Sequence, residues 1–327
     1  MSLKKAIILR EQITDIDALD QQDSINQAKE VQKSLLENGY EACVLPFSVN
    51  MHDLKEKIEE IQPEFVFNLV DGEYPLLHLA PLYLEYLKVP FTGGTSESIF
   101  ITTHKVFAKK MLKNANIATA KYFTEDDIID SLAMYKDKLF ILKPYNSDAS
   151  IGIEKDAIVE CDGTNIIREI SEKSKKYKKK FFAEEFIQGR EFIVAMIGSQ
   201  EEFFVLHPAE ILFINYPEGK HKILNYAAKW EESSFEYENT LRTFDFQEKD
   251  RPLLEELQRI ARQCWKIFGL NGYARLDIRV DEQGQPFVLE INSNPNIISY
   301  GSFVAACKKL GWDYNQMIQK IITNLNQ

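Results

Sequence analysis

The chain is 327 residues long, enough for two or three domains with a core in each. Its composition, 45% apolar and 27% charged, excludes a disordered chain, a collagen-like fibre and a coiled-coil rod. With 39 Lys plus Arg against 50 Asp plus Glu, the net charge of −11 argues against a nucleic-acid-binding face, and apolar stretches such as Phe65–Val70 are too short to span a bilayer.

In chain order, residues 4–9 read as a short buried strand. Asp23–Asn38 has helical periodicity and stops at Gly39. Tyr40–Leu45 is a second strand, 52–61 a helix and Phe65–Leu69 a third strand. This alternation predicts a parallel sheet with helices packed on it. Pro75–Leu87 is an apolar helix, and the break Gly93-Gly94 is where a first domain should end. Thr103–Asn114 reads as a helix with Lys105 in its first turn, and Asp126–Tyr135 as another. Phe140–Lys143 is a strand. The polar loop Pro144–Ser150 and an extended segment, Ile151–Ile153, come next. Residues 163–178 are helical and Phe181–Phe186 is a strand, which makes a small α+β unit. The remainder opens with strands at Glu191–Ile197 and Glu202–Leu206. A polar stretch, Glu231–Asp250, leads to a long helix over 251–268, a hairpin and terminal helices.

Cys43, Cys161, Cys264 and Cys307 are widely spaced, with no Cys-x-x-Cys pair and no histidine at ligand spacing. They read as reduced, mostly buried thiols. Residues 1–20 lack the apolar core of a signal peptide, so a cytoplasmic location is expected.

Three features carry chemistry. The first is the alternating pair of runs on either side of Gly284, a hairpin signature. Period two puts Arg275, Asp277 and Arg279 on one face, and Glu290 and Asn292 on one face of the partner strand. A turn centred on Gln283-Gly284 sets Asp277 across from Glu290 and Arg275 across from Asn292. Adjacent carboxylates repel unless a cation lies between them, and oxygen-only ligands favour Mg²⁺ or Mn²⁺. An exposed strand face with Arg–Asp pairing fits the pattern equally well. The second feature is Lys105 at a helix start and Lys143 at the end of the apolar run Leu139–Leu142, where a lysine is poorly placed for a solvated charge and points at an anion, although lysines near loops are common. The small polar loop after Lys143 suits phosphate contacts from backbone N–H groups. The third is Glu184-Glu185, with Glu191 across a glycine-containing turn. These carboxylates suit an adenine amino group and ribose hydroxyls, or else a charged interdomain turn.

In this order the motifs resemble the ATP-grasp superfamily, and within it the D-alanine–D-alanine ligase family, over nearly the whole chain. They are Val89–Gly93, Thr103-His-Lys105, Leu142-Lys143-Pro144, Glu184–Glu191, Ala228-Lys229-Trp230, Ala274-Arg275-Leu-Asp277 and Leu289–Pro295. The resemblance implies a three-domain α/β (α+β) fold. Its N-terminal parallel α/β domain would cover 1–94. A central ATP-grasp unit with a lid would cover 95–187, and a C-terminal ATP-grasp unit with a metal site 188–327. It also implies two Mg²⁺ ions, with Mn²⁺ an acceptable substitute, held by Asp277, Glu290 and Asn292. ATP phosphates would meet Lys105, Lys143 and Lys229, adenine would meet Glu184 and the backbone of Glu185 and Ile187, and ribose would meet Glu191. Arg275 would steady the reacting carboxylate. The substrate-side serine of the family aligns with Ala149, while Ser150 keeps the next one and is the candidate catalytic serine. The lid would lie in 145–150 or 231–250.

The implied activity is ATP-dependent joining of a small carboxylate to a small amine, amino acids in the family pattern, through an acylphosphate. The implied partners are those small molecules, with neither nucleic acid nor membrane, and the family commonly forms homodimers through its N-terminal domain. The departures cluster at the amino-acid pocket. The first strand runs into Arg10–Ile13 without glycine, the stretch after the third strand is Asn68–Glu73, the tyrosine after the family's lysine is Trp230, and the serine near the end falls at Gly301, between Ser299 and Ser302. The expectation is retained chemistry on a changed substrate pair. An authentic D-alanine–D-alanine ligase and a non-catalytic ATP-binding protein are the alternatives.

Overall fold

The computed structural model describes residues 4–72, 74–127, 132–146 and 157–326. The first unit contains β1 (Lys4–Glu11), α1 (Leu19–Glu37), β2 (Tyr40–Phe47), α2 (Met51–Ile61), β3 (Phe65–Asn68) and α3 (Leu76–Leu87). Its three strands form a parallel sheet in the order β2-β1-β3. In β1, residues 6–9 are buried on both faces, as a parallel strand between helices requires. Ile7 and Leu9 face a core shared with α2 and α3. Ala6 and Ile8 face a second core. Helix α1 starts four residues before the periodic run because its buried face is partly polar: Asp23, Ser24, Gln27 and Ser34 are all buried.

Next come α4 (Ser96–Thr103), α5 (Lys105–Asn114), β4 (Tyr122–Thr124), β5 (Leu139–Pro144), β6 (Ile158–Glu160), α6 (Ile166–Tyr177) and β7 (Phe181–Glu185). The expected helix over Thr103–Asn114 is two helices meeting at His104, with Lys105 as the first residue of α5. The helix expected over Asp126–Tyr135 is not formed in its described part, where Ala133–Tyr135 makes a single 3-10 turn. The four strands form an antiparallel sheet, β4-β7-β5-β6. The extended segment expected at Ile151–Ile153 and the candidate Ser150 lie outside the described residues.

The third set is β8 (Arg190–Gly198), β9 (Phe203–Val205), β10 (Ala209–Phe213), α7 (Tyr226–Trp230), α8 (Phe235–Glu238), β11 (Thr240–Thr243), α9 (Arg251–Ile267), β12 (Gly272–Val280), β13 (Pro286–Asn292), α10 (Ser302–Lys309) and α11 (Tyr314–Ile322). The sheet runs β11-β10-β8-β12-β13, with β9 beside β8. Helix α9 covers one face, and Ala108 and Leu112 of α5 join the same core. Within the polar stretch 231–250, β11 is the sheet edge, and Arg242 donates to Ser302 Oγ at 3.0 Å.

The first unit is fused to the third. Helices α10 and α11 supply Phe303, Val304, Met317, Ile318 and Ile321 to the core that holds Ala6, Ile8, Phe65 and Phe67. At the break Gly93-Gly94 the backbone makes a tight crossing. A Cβ on Gly272 would lie 2.8 Å from Gly93 O, and one on Gly94 would lie 2.9 Å from Ser293 O, so glycine is needed where these backbones meet.

Candidate functional site

The hairpin register is the one expected: Asp277 lies opposite Glu290 and Arg275 opposite Asn292, with an irregularity after Asp277. Both readings of this face have support. Arg275 grips Asp277 with two bonds, Nε to Oδ1 at 2.8 Å and Nη2 to Oδ2 at 2.9 Å. Glu290 pairs with Lys105, Nζ to Oε2 at 3.2 Å. Burial raises the pKa of Glu290, but Lys105, Lys229, Lys143 and Arg275 together lower it further, and the carboxyl ends well below its ordinary range. It is therefore an anion at neutral pH, with Lys105, Lys229, Lys143 and Arg275 around it. Lys229 is pushed down, by burial first and then by Arg275, against the pull of Asp277, Glu290 and Glu191.

Lys143 and Glu184 come together by β-sheet geometry. On the antiparallel pair β5–β7, Lys143 lies opposite Phe182 and Ile141 opposite Glu184, two residues off. Lys143 Nζ reaches Glu184 Oε2 at 2.5 Å. The other oxygen pairs with Lys109, one helical turn after Lys105 on α5. Lys109 also donates to Thr119 Oγ1 at 2.7 Å, which in turn donates to Val288 O. Glu184 and Lys109 are both about 99% buried. Burial alone would protonate Glu184, yet the two lysines hold its pKa below the usual carboxylate range. Lys109 was not among the residues singled out from sequence. Its i, i+4 relation to Lys105 was the available signal.

Glu185 pairs with Lys138 at 2.5 Å, and its backbone N–H donates to Lys121 O at 2.7 Å. Glu191, at the start of β8, pairs with Arg279 at 2.9 Å. One cavity is lined by Lys143, Glu184, Glu185, Ile187, Glu191, Lys229, Asp277 and Glu290. Eight of the sequence-selected residues thus face one space. Lys105 joins through Glu290, Arg275 through Asp277 and Asn292 through the hairpin register. A larger cleft, about 1390 Å³, opens on the other side of the 185–187 segment and shares Glu185 and Ile187, but Lys105, Lys143, Lys229, Asp277 and Glu290 do not line it. The sequence-selected residues gather in the smaller cavity.

The hairpin donors suit a hard cation. They are two carboxylates and an amide oxygen on neighbouring strands, with Glu290 held as an anion. Among the described residues no group of three or more His, Cys, Asp and Glu stands ready for a metal, so remaining positions would fall to phosphate oxygens and water. Asn292 Oδ1 accepts from Asn294 N–H at 2.9 Å, which orients the amide.

Beside Lys229 lies a second cavity of about 670 Å³, lined by Leu19, Gln22, Asp23 and Asn26 of α1, by 230–233 and by Tyr237 and Tyr300. The indole Nε1 of Trp230 is buried and has no hydrogen-bond partner among the described residues. Helix α1 clasps the far wall. Asp23 accepts from Tyr300 Oη and Asn296 Nδ2, Gln27 Oε1 from Ile297 N–H at 2.5 Å, and Glu30 from Ser299 N–H and Oγ at 2.8 Å each. None of the three was singled out from sequence.

Residues 111–323 match the family model described as D-ala D-ala ligase C-terminus. The chain is 27% identical over 303 residues to the D-alanine–D-alanine ligase of Aquifex aeolicus, covering 92% of this chain and 94% of that one. In structure it is similar to the D-alanine–D-alanine ligase of Bacillus anthracis solved with ATP, with a TM-score of 0.75, 22% identity and coverage of 98% and 96%. It is also similar to the VanG D-Ala:D-Ser ligase of Enterococcus faecalis, with a TM-score of 0.70, 17% identity and coverage of 98% and 99%.

Proposed function

The chain belongs to the D-alanine–D-alanine ligase family of the ATP-grasp superfamily, and from that premise we propose that it is an ATP-dependent carboxylate–amine ligase acting on an acid–amine pair other than two D-alanines. The observation that carries the reading is the convergence of Lys143, Glu184, Glu191, Lys229, Asp277 and Glu290 on one cavity, with Lys105 and Arg275 bonded to its carboxylates. We further propose three domains, 1–94, 95–187 and 188–327, each built on one of the three sheets.

In this reading ATP lies between β5–β7 and β12–β13. Adenine meets Glu184 and the 185–187 backbone, and ribose meets Glu191. Lys105, Lys143 and Lys229 offset phosphate charge. A Mg²⁺ pair on Asp277, Glu290 and Asn292, with Mn²⁺ as a substitute, would neutralise the phosphates during transfer. A substrate carboxylate oxygen attacks the γ-phosphorus, ADP departs and an acylphosphate forms. The amine then attacks the acyl carbon, and Arg275, its plane fixed by Asp277, stabilises the oxyanion. The intermediate collapses with loss of phosphate, leaving the amide. Ser150, which lies outside the described residues, remains the candidate catalytic serine.

The cavity beside Lys229 is the proposed amino-acid side. Its orphaned Trp230 N–H, where the family pattern has a tyrosine, is a donor suited to a substrate oxygen, and Asp23, Glu231 and Glu232 make its wall acidic. The test is ADP release with Mg·ATP and D- and L-amino acids, singly and in pairs, with Asp277→Asn and Glu290→Gln as controls. The reading expects turnover with a pair other than D-alanine. Stimulation by D-alanine alone restores the authentic D-alanine–D-alanine ligase. Nucleotide binding without turnover by any pair favours the non-catalytic alternative.

A further inference from the structure

We propose that Arg279 is a positioning residue of the nucleotide pocket, which holds the Glu191 carboxylate and the 187–189 turn in place to receive the ribose. The proposal rests on the ATP reading above.

Arg279 and Glu191 are direct cross-strand partners on β12 and β8, so their side chains rise from the sheet side by side. Arg279 Nη2 meets Glu191 Oε2 at 2.9 Å. The guanidinium also donates to Ile187 O and Gly189 O, at 3.4 Å each, and to Lys222 O. It is packed between the rings of Phe186 and Phe213, at 5.2 and 5.7 Å from their centroids. One planar fork therefore ties together the hinge, the start of β8 and the 222 segment. An ammonium group cannot reproduce that pattern of donors.

A buried ion pair is a weak source of stability, since apolar residues of similar volume often serve as well. At 3% and 6% exposure, this pair belongs to that class. Its location gives it another use. Arg279 lines the ATP cavity and also the neighbouring cavity of about 520 Å³ formed by 188–190 and 219–222, and so stands as the wall between them. Lys229 lines the same cavity as Glu191. Without Arg279, Glu191 would be drawn toward Lys229, away from the ribose. The pair engages Oε2, and a ribose hydroxyl needs a single carboxylate oxygen.

The experiment compares Mg·ADP with Mg·2′,3′-dideoxy-ADP by calorimetry on wild type, Arg279→Met and Arg279→Lys, with thermal melts alongside. Wild type is expected to bind ADP about tenfold more tightly than the dideoxy analogue, the worth of one hydrogen bond to a charged acceptor. Both variants should bring that ratio to about twofold or less by weakening ADP, with dideoxy-ADP affinity nearly unchanged. Arg279→Lys retains the charge and supplies the comparison if Arg279→Met does not fold. Equal weakening of both nucleotides, with the ratio kept, overturns the proposal in favour of a purely structural pair. Equal binding of both by wild type also overturns it and leaves the ATP reading standing. Binding of neither nucleotide by wild type overturns both.

Discussion

Glu184 illustrates how much one residue can depend on its surroundings. Its carboxylate is almost fully buried and ionised because Lys109 and Lys143 sit on its two oxygens. Glu184→Gln removes the anion and strands two buried ammonium groups, a change expected to cost about 3–5 kcal/mol. The pH dependence has a definite sign. The folded pKa is below the ordinary value of 4.5, so the contribution is complete above that pH and declines as pH falls below it. Urea denaturation should show a constant stability gap between wild type and Glu184→Gln near neutrality, narrowing below about pH 4.5. A gap unchanged in acid would mean that the carboxyl is not held ionised by the lysines. Glu184 was singled out from sequence because it ends an apolar strand. Its partner Lys109 was not, since a lysine in a helix ordinarily faces water and only packing against β7 buries this one.

At the scale of elements, the hairpin and α1 make opposite cases. Period-two alternation about Gly284 carries the register of β12 and β13, and with it the Asp277–Glu290 and Arg275–Asn292 pairs. Helix α1 has its apolar stripe in Ala28, Val31 and Leu35, but Asp23, Gln27 and Glu30 spend the adjoining inner face on hydrogen bonds to 296–300, which that period does not show. Such a face reads as solvated until the loop it binds is known. Glu30→Ala removes two bonds to Ser299, which should cost about 1–3 kcal/mol in denaturation. Because that loop walls the cavity beside Lys229, KM for the amino-acid substrate should rise while KM for ATP stays within about twofold. A matching rise in KM for ATP would place the loop's influence on the nucleotide instead.

For the whole molecule, the decisive contact is between the two ends of the chain. Phe91 bridges to Val66 and to Asn326, and α10 and α11 close the core of the N-terminal sheet. Among the described residues the four cysteines are free. Cys161, Cys264 and Cys307 are buried, and burial pushes the thiols of Cys264 and Cys307 up to about 12. A thiol reagent should therefore label Cys43 first in the native protein and all four after denaturation, since thiolate is the reactive form. Rapid native labelling of Cys264 or Cys307 would show that these cores open readily. Mg·ATP at about 100 times its Kd should stabilise the chain by about 2.7 kcal/mol, read as a rise in Tm that chelation of the metal diminishes. No helix among the described residues is long and apolar enough to cross a membrane.

Local order along the chain determined the alternation of strands and helices, the hairpin register and the ordered motifs that mark the family, because period, turn chemistry and motif spacing are properties of neighbouring residues. The helix expected at Asp126–Tyr135 and the chain break read at Gly93-Gly94 show where that logic ends. The described part of the first is a single 3-10 turn, and the second is a close backbone crossing against Gly272 and Ser293. Tertiary structure alone decided which charges were buried together. Lys109 on Glu184, Arg279 on Glu191 and the α1 clasp on 296–300 each join elements distant in sequence, and a charge placed in a low-dielectric interior is defined by its partner rather than by its neighbours in the chain.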